Sequence, residues 1–268
     1  MKKGPSMLKY RVGGHGLVGY LILIGLALMV LERLIPDQAL PKVKGWWWRV
    51  IVINLMQLAV VILGMFTWEI WLQGHSLFHL TNHMPKAVAA LVSYGAITFI
   101  FYWWHRWRHD SYILWRLCHQ IHHSPARIET ITSFYKHPFE ILVNGLLIGV
   151  INHLLFGFDL EAAGYVTLYT GLGEFFYHMN IKTPHVIGYV FQRPEMHRIH
   201  HKRGYHYQNF SDLPLWDMLF GTYHNPETYQ GPCGYKPERE LRLLAMLRFQ
   251  DVNTPPPKWD QSSMERDS

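Results

Sequence analysis

Long apolar runs separated by short polar segments occupy the first two thirds of this chain. Runs at residues 17–35, 50–72 and 87–104 approach the roughly 20 residues that span the hydrocarbon core of a bilayer. Two shorter runs, 139–158 and 162–177, contain glycine and polar residues and predict a tilted or partly sunken helical hairpin. The pattern therefore predicts an all-α integral membrane protein with four to five transmembrane or interfacial helices.

The last third of the chain has a different pattern. Beyond residue 178 it is polar, and no apolar run is long enough to cross a bilayer. Residues 215–222 predict a short helix that Gly221 closes at its C-terminal end. Residues 254–268 are charged and rich in proline, a composition that predicts disorder.

The distribution of basic residues predicts the orientation of the bundle. If the run at 87–104 descends to one side and the next two runs form a hairpin, residues 105–123 and 178–201 share that side. The opposite side would carry only Lys86, Asp159 and Glu161. The positive-inside rule then places the first side in the cytoplasm. Its basic residues are Arg106, Arg108, Arg116, Arg127, Lys136, Lys182, Arg193, Arg198, Lys202 and Arg203. The basic N-terminal tail fits this orientation only if the first run lies in the interface, and the sequence leaves open whether that run spans.

Composition narrows the class of protein. Apolar residues make up 49% of the chain and charged residues 16%, against about 25% charged in a typical soluble domain. The net charge of +6 suits a protein that lies against an anionic leaflet. The basic residues are scattered among apolar runs without a nucleic-acid motif, which argues against a nucleic-acid partner. Two cysteines exclude a disulfide framework, and Cys118 is predicted to be a buried, unreactive thiol.

Histidines recur at one spacing in widely separated segments. The matching boxes are His119-x-x-His122-His123 and His197-x-x-His200-His201, with His105-x-x-x-His109 before the first. On a helix, residues three and four apart share a face, so each box is predicted to point its imidazoles at one point in space. These eight imidazoles oversupply a single ion, so the boxes predict two metal ions.

The chemistry of these ligands points to oxidation of a lipid. An all-imidazole set suits iron, zinc, copper or nickel. Two such ions at the cytoplasmic mouth of a helix bundle are typical of an oxygen-activating di-iron site, to which the bilayer would deliver a lipid chain or a sterol. A metal transporter would instead need polar ligands midway through its helices, where the chain offers only Asn144, Asn152 and His153. A catalytically inactive scaffold would be expected to have lost a box.

The boxes resemble the fatty acid hydroxylase / sterol desaturase superfamily of membrane-bound, non-haem di-iron enzymes. The resemblance extends over residues 105–222 and includes the motifs Phe176-Tyr177-His178-Met179-Asn180, Asn209-Phe210, Leu215-Trp216-Asp217 and Phe220-Gly221-Thr222. It implies a cytosolic, His-rich helical cap that holds two ferrous ions, with dioxygen as co-substrate and an external electron donor. The implied metal ligands are His105, His109, His119, His122, His123, His178, His197, His200 and His201.

The resemblance also suggests a division of the chain into three parts. Residues 1–86 are predicted to form N-terminal membrane helices. Residues 87–225 are predicted to form a fatty acid hydroxylase-like catalytic domain. Residues 226–268 are predicted to form a polar, partly disordered C-terminal tail.

Four further residues are candidates for the ligand set or for support of the ligands. Glu174 shares a helical face with His178. It is either a metal ligand or a hydrogen-bond partner of His178, or else an interfacial carboxylate paired with a nearby arginine. His137 is either a site residue or the start of an interfacial helix with Pro138 in its first turn. His206 follows the last box at five residues. Asp217 is predicted to accept a ring N–H from a ligand histidine or to cap a helix.

Other histidines are predicted to stand outside the site. His75, His79 and His83 have a spacing that could bind metal, but the topology places them on the opposite face of the membrane, in a loop without function. His153 is predicted to be a hydrogen-bonded polar group inside the membrane.

The sequence leaves several functions open. The favoured reaction is O2-dependent hydroxylation of a membrane lipid, namely a fatty acyl chain, a sterol or a related lipid. Desaturation at the same site is the first alternative, and a membrane metal-binding or metal-transport protein is the alternative from another class. A separate ferredoxin or cytochrome b5-like carrier with its reductase is expected to dock on the cytosolic cap. The basic residues Arg106, Arg108, Lys202 and Arg203 either attract an acidic carrier or face phospholipid headgroups. Compact loops and the lack of a retrieval signal favour a bacterial inner membrane over the endoplasmic reticulum.

Overall fold

The protein folds into a bundle of α-helices with a smaller helical cap at one end. A computed structural model describes the backbone of residues 7–253 and the side chains of residues 17 and 19–253, so the disorder predicted for 254–268 lies outside the described residues. No β-strand occurs within 7–253, where Lys202 and Cys233 form an isolated antiparallel bridge. The α-helices are α1 (Met7–Leu34), α2 (Trp46–Phe66), α3 (Trp68–Trp71), α4 (Lys86–Asp110), α5 (Tyr112–Leu114), α6 (Pro138–Gly149), α7 (Leu160–His178), α8 (Pro194–His200), α9 (Pro214–Leu219), α10 (Pro237–Glu240) and α11 (Leu243–Leu247).

Other helical segments connect these elements. Two of them are π-helical and continue or follow an α-helix, at Trp115–His119 and Val150–Leu155. Three are 3₁₀-helical, at Leu80–Asn82, Thr130–Phe134 and His185–Tyr189.

Three helical stretches of the described chain are long and apolar enough to cross a membrane. They are Trp46–Trp71, Lys86–Asp110 and Pro138–Leu155. Their outward side chains are largely apolar, as at Leu55 and Leu58 of α2, which are 61% and 52% exposed. Such exposure suits lipid rather than water. The prediction of an all-α membrane protein is therefore confirmed, while the number of spans stays a prediction.

Small residues bring α1 and α7 close together. A Cβ atom at Gly25 would lie 2.8 Å from the Phe175 ring, and one at Gly171 would lie 2.6 Å from Leu21. Glycine at such positions lets two membrane helices approach without steric conflict. The buried Glu32 carboxylate, near the end of α1, accepts hydrogen bonds from the Thr130 and Asn180 backbone amides at 2.9 and 3.0 Å. The first helix is thereby attached to the cap.

Polar groups among the apolar helices are paired with one another. His153 contacts Glu69 Oε2 and the Phe158 carbonyl, each at 2.8 Å, which confirms its prediction as a hydrogen-bonded intramembrane group. At the end of the bundle away from the cap, Lys86 lies 2.6 Å from Glu161 and also pairs with Asp159. The charges predicted for the opposite side thus meet in one place.

A core of large side chains joins the start of α2 to the cap. Trp46 and Ile53 of α2 pack with Trp115, Tyr135 and Met246, and all five are at least nine-tenths buried. Arg49 donates to the Glu240 side chain at 3.0 Å and to its carbonyl at 2.8 Å. The segment that precedes residue 254 therefore packs against the cap, and the three-part division of the chain stays a prediction.

Candidate metal centre

Nine imidazoles converge at the cap end of the bundle and form two groups. Within each group, one ligand atom from every residue lies within 4.8 Å of the others. The five-histidine group is His105, His109, His119, His123 and His200, and the four-histidine group is His122, His178, His197 and His201. These are the nine histidines that the sequence singled out, although their role as metal ligands stays a proposal.

Each H-x-x-H-H box contributes to both groups, so the prediction that a box points at one place is wrong. His119 and His123 enter the five-histidine group while His122 enters the other group. The second box does the reverse, because His197 and His201 share one group and His200 leaves it. Both boxes form a helical turn, with i→i+4 backbone bonds of 3.2 and 2.9 Å. At about 100° per residue, positions i+3 and i+4 fall on opposite sides of position i and diverge.

The histidines of each segment lie at the end of a helix or within a short helical turn that faces the centre. His105 and His109 occupy the last turns of α4, and His178 is the last residue of α7. The first box begins at His119, the last residue of a π-helical turn, a wider form of helix that is frequent at functional sites. Pro194 begins α8, and the buried Glu195 carboxylate accepts two 2.8 Å hydrogen bonds from Thr183, which hold this short helix in place.

Backbone carbonyls fix the orientation of three rings. Nδ1 of His105 donates to the Phe210 carbonyl at 2.7 Å, and His178 and His200 donate to the carbonyls of Glu174 and Gln208 at 2.8 Å. A carbonyl can only accept, so the proton of each neutral ring is on Nδ1 and its Nε2 lone pair is free to bind a metal.

The nitrogen–nitrogen distances fit a shared cation. His105 Nε2 lies 2.9 Å from His119 Nε2, and His178 Nε2 lies 3.0 Å from His197 Nε2. Two nitrogens bound at 2.0–2.1 Å to one ion, at right angles, would be about 2.9 Å apart. Lone pairs at this distance repel unless a cation or a proton lies between them.

Burial keeps the rings neutral. Desolvation, followed by the charges of neighbouring groups, lowers the pKa of His119, His123 and His197 well below the usual 6.5. Desolvation is also the main cause that lowers the pKa of His200 to about 3. Both ring nitrogens of His109 and the Nε2 of His200 are buried without a hydrogen-bond partner. Neutral imidazoles with unpaired buried nitrogens are suited to bind a metal ion, so these residues fit a dinuclear site.

Buried ion pairs border the two groups. Arg108 pairs with Glu140, and Nδ1 of His119 lies 3.3 Å from the same carboxylate. A carboxylate against the outer nitrogen of a ligand histidine raises the basicity of the ring. Because Arg108 is 4% exposed, its predicted place in a docking surface for an electron carrier is wrong.

Glu174 is outside both histidine groups. Its carboxylate binds Lys136 Nζ at 2.6 Å, so the expected basic partner is a lysine rather than an arginine. Its contribution to His178 is made by the backbone carbonyl instead of the side chain.

His137 and His206 have different surroundings. His137 caps the start of α6, where its Nδ1 accepts from the Phe139 amide at 3.0 Å and its ring stacks on Phe249. This matches the prediction of a helix start with Pro138 in the first turn. The His206 ring lies 4.8 Å from that of His123 and 5.2 Å from that of His109, and burial lowers its pKa to about 4.

Asp217 accepts no ring N–H from the side chains that the structure describes, so that part of its prediction is wrong. Its carboxylate accepts from the Phe210 amide at 2.8 Å, the Ser211 amide at 3.0 Å and the Thr222 hydroxyl at 2.7 Å. Since the Phe210 carbonyl accepts from His105, Asp217 supports the His105 ring through one peptide unit. Burial raises the pKa of Asp217 to about 6.

The remaining candidates lie apart from the centre. His75, His79 and His83 belong to neither histidine group, and the chain around them is irregular apart from one 3₁₀ turn. Cys118 is buried, as predicted, and burial raises the pKa of its thiol to about 12. A thiol in that state is unreactive near neutral pH.

Sequence reasoning did not predict that the loop at 208–210 contacts two of the nine rings. Asn209 lies between the carbonyls of Gln208 and Phe210, which receive His200 and His105. It adopts the left-handed conformation with φ of 58°, which asparagine tolerates better than most residues. The motif Asn209-Phe210, which begins eight residues after His201, was the available signal, but no pattern in sequence assigns backbone carbonyls to particular rings.

Comparison with known proteins identifies the family. The family model described as fatty acid hydroxylase matches residues 87–222. The chain belongs to the fatty acid hydroxylase family. No solved structure matches it.

Several curated proteins are similar over part of their length. An ornithine lipid hydroxylase of Rhizobium tropici is 31% identical over 54% of this chain and 44% of its own length. A sphingolipid C4-hydroxylase of Schizosaccharomyces pombe is 29% identical over 47% of this chain and 45% of its own length. Lathosterol oxidase of Homo sapiens is 25% identical over 68% of this chain and 62% of its own length. The chain thus spans about half the length of the first two relatives.

Proposed function

We propose that this protein is an O2-dependent di-iron oxidoreductase that hydroxylates a membrane lipid. The observation that carries the proposal is the division of nine buried histidines into two adjacent groups at the end of an apolar helix bundle. Membership of the fatty acid hydroxylase family and the similarity to lipid hydroxylases support a lipid as substrate.

The protein's own groups would hold and tune two iron ions. The five-histidine group and the four-histidine group would each bind one ion, with the Nε2 lone pairs of His105, His178 and His200 directed inward by their carbonyl partners. Glu140 would hold His119 in the orientation that ligation needs. Two bound ferrous ions would supply electrons to dioxygen, and the reduction of dioxygen would be coupled to the oxidation of an unactivated C–H bond.

Burial serves the same chemistry in a second way. The side chains of His119, His123, His197 and His201 are at most 2% exposed, so bulk water has little access to the centre. Exclusion of water protects a reactive site from side reactions and strengthens its electrostatic interactions. The apolar spans offer a lipid a route to the centre from within the bilayer. We place the centre on the cytoplasmic face of a bacterial inner membrane, where a separate carrier would supply electrons.

Lipid analysis under labelled dioxygen tests this function. Cells that express the protein are expected to accumulate a lipid that carries one atom of ¹⁸O from ¹⁸O2. The matched controls are His200→Ala, which removes a candidate ligand, and His83→Ala, which removes an exposed histidine outside both groups. The label should vanish in the first variant and persist in the second.

The same experiment separates the alternatives. A lipid that loses two hydrogens and gains no label would identify a desaturase. Purified protein with iron at both groups but an unchanged lipid profile in every host and with every carrier would contradict lipid oxidation. A metal-transport protein would alter cellular iron or zinc content without altering lipids.

A further inference from the structure

The outer face of the cap carries an apolar surface that no described part of the chain covers. Two segments form it, the 3₁₀ turn after α7 with the residues that follow it, and helix α9. We name it the cap shelf, which consists of Val186, Tyr189, Val190, Phe191, Leu215, Met218 and Leu219. The exposure of these side chains ranges from 39% to 68%.

The two segments of the cap shelf make one continuous surface. Helix α9 packs against the 3₁₀ turn His185–Tyr189. Behind them, Asn225 Nδ2 donates to the His185 carbonyl at 3.0 Å, and the Tyr223 hydroxyl donates to the Gly188 carbonyl at 3.2 Å. The shelf is therefore attached to the cap by specific bonds and is not a loose loop.

The polarity of the shelf is opposite to that of a water-facing helix. In α9, Asp217 is 1% exposed whereas Leu219 is 63% exposed. A helix at a protein–water boundary buries its apolar face and exposes its charges. The outward face of α9 is thus suited to an apolar medium.

The position of α9 identifies that medium. The Trp216 ring packs edge-on against Phe99 at 4.9 Å, and Phe220 packs against Trp103 at 4.8 Å. Phe99 belongs to α4, one of the three candidate spans, and lies about 16 Å from its C-terminal residue Asp110 at 1.5 Å per residue. The shelf therefore lies beside a segment at membrane depth and continues its lipid-facing surface.

We propose that the cap shelf is immersed in the lipid leaflet on the cap side of the membrane. The lipid acyl chains at the headgroup boundary would cover it, to a depth of about 5–10 Å, as for interfacial amphipathic helices. The cap would then be held against the bilayer by the shelf in addition to the spanning helices. This inference concerns membrane contact and does not depend on metal or catalysis.

Single-cysteine labelling tests the depth of the shelf. Leu219→Cys and Val190→Cys, one from each segment, would carry an environment-sensitive fluorophore in phosphatidylcholine/phosphatidylglycerol nanodiscs. Leu58→Cys marks a lipid-facing position in α2, and Glu238→Cys marks an exposed charged position in α10. The native thiols are buried, and burial raises the pKa of Cys118 and Cys233 to about 12, so they should resist labelling.

The proposal predicts that lipids with bromine near the headgroup end of the acyl chain quench both shelf probes. Lipids brominated near the chain terminus should quench Leu58→Cys more strongly than the shelf probes, and the Glu238→Cys probe should respond to aqueous iodide alone. Quenching of both shelf probes by iodide and not by lipid would overturn the proposal. Protection from both quenchers, with energy transfer between labelled copies, would also overturn the proposal. It would show that a second copy of the chain, and not lipid, covers the shelf. The two shelf variants are labelled after folding and are independent of each other. If one variant fails to fold, the other still tests the proposal.

Discussion

Replacement of Asn209 tests whether the loop at 208–210 sets the rings of the five-histidine group. The Asn209 side chain donates to the carbonyls of Met196 and His224 at 3.0 and 2.9 Å and accepts from the His224 amide at 2.9 Å. Its own backbone is left-handed. Asn209→Ala removes all three bonds and leaves the Cβ in that conformation without the polar side chain that stabilises it.

The expected cost follows from these contacts. Three lost hydrogen bonds at about 1 kcal/mol each, with about 1 kcal/mol for alanine in the left-handed region, reduce the free energy of unfolding by about 4 kcal/mol. Asn209→Gly loses the same bonds without backbone strain, so its loss is expected to be about 3 kcal/mol. Displacement of the flanking carbonyls, which hold His105 and His200, should also weaken metal binding about 10–100-fold at the five-histidine group.

Two assays check the reasoning for Asn209. Unfolding in mixed micelles of rising SDS content gives the loss of free energy, and ferrous titration of folded protein gives the affinity of each site. Thr228→Ala, an exposed polar position in the described chain, is the control and should change neither quantity. An alanine variant that keeps its stability and both affinities would refute the claim that this loop orients the ligands.

Three further predictions concern the cap and the bundle. Asp217→Ala leaves three donors without an acceptor and should lower the free energy of unfolding by about 3 kcal/mol or more in SDS titration, and Asp217→Asn should lower it less. Metal-free protein should lose stability as the pH falls below 6.5. The histidines then bind protons in the unfolded state, whereas the buried rings of the folded state stay neutral. The pKa of about 4 for His206 and about 3 for His200 sets the lower end of that window, with a slope of about 1.4 kcal/mol per pH unit for each ring. A flat profile from pH 7 to 4 would contradict this sign. Gly25→Leu should separate α1 from Phe175 of α7 and lower thermal stability in detergent, whereas Gly19→Leu, with open space at its Cβ, should be tolerated.

The histidine spacing predicted eight of the nine members of the centre, and the family resemblance added His178, but neither predicted how the nine divide into two groups. Spacing of three and four places side chains on one side of a helix, and at the resolution of that rule each box looks like a single set of ligands. The assignment of His122 and His200 to the opposite groups depends on how the two turns face each other, which is set by tertiary packing.

The sequence pattern could not predict which backbone carbonyls hold the histidine rings, nor that α9 would bury its charged side and expose its apolar side. The ring of His178 is held by the backbone carbonyl of Glu174 and not by its carboxylate. Every residue type has a backbone carbonyl, so the sequence does not show which carbonyl is used. The exposed Leu219 beside the buried Asp217 gives a helix whose polar face is internal, and only the packing of α9 on α4 reveals which face meets the membrane. Three of the five predicted apolar runs, in contrast, correspond to the candidate spans, because membrane helices need long apolar segments regardless of their neighbours. The runs at 17–35 and 162–177 are not among those spans in the described chain.

Metal stoichiometry decides whether each histidine group binds one iron. Anaerobically reconstituted protein should contain two irons per chain by elemental analysis, one for each group. His109→Ala in the five-histidine group and His178→Ala in the four-histidine group should each lower the content towards one, with distinct Mössbauer signals lost. His83→Ala should retain both irons. Absence of stoichiometric iron after reconstitution would show that the two groups do not bind one iron each. Loss of both irons in the ligand variants and in His83→Ala alike would show the same.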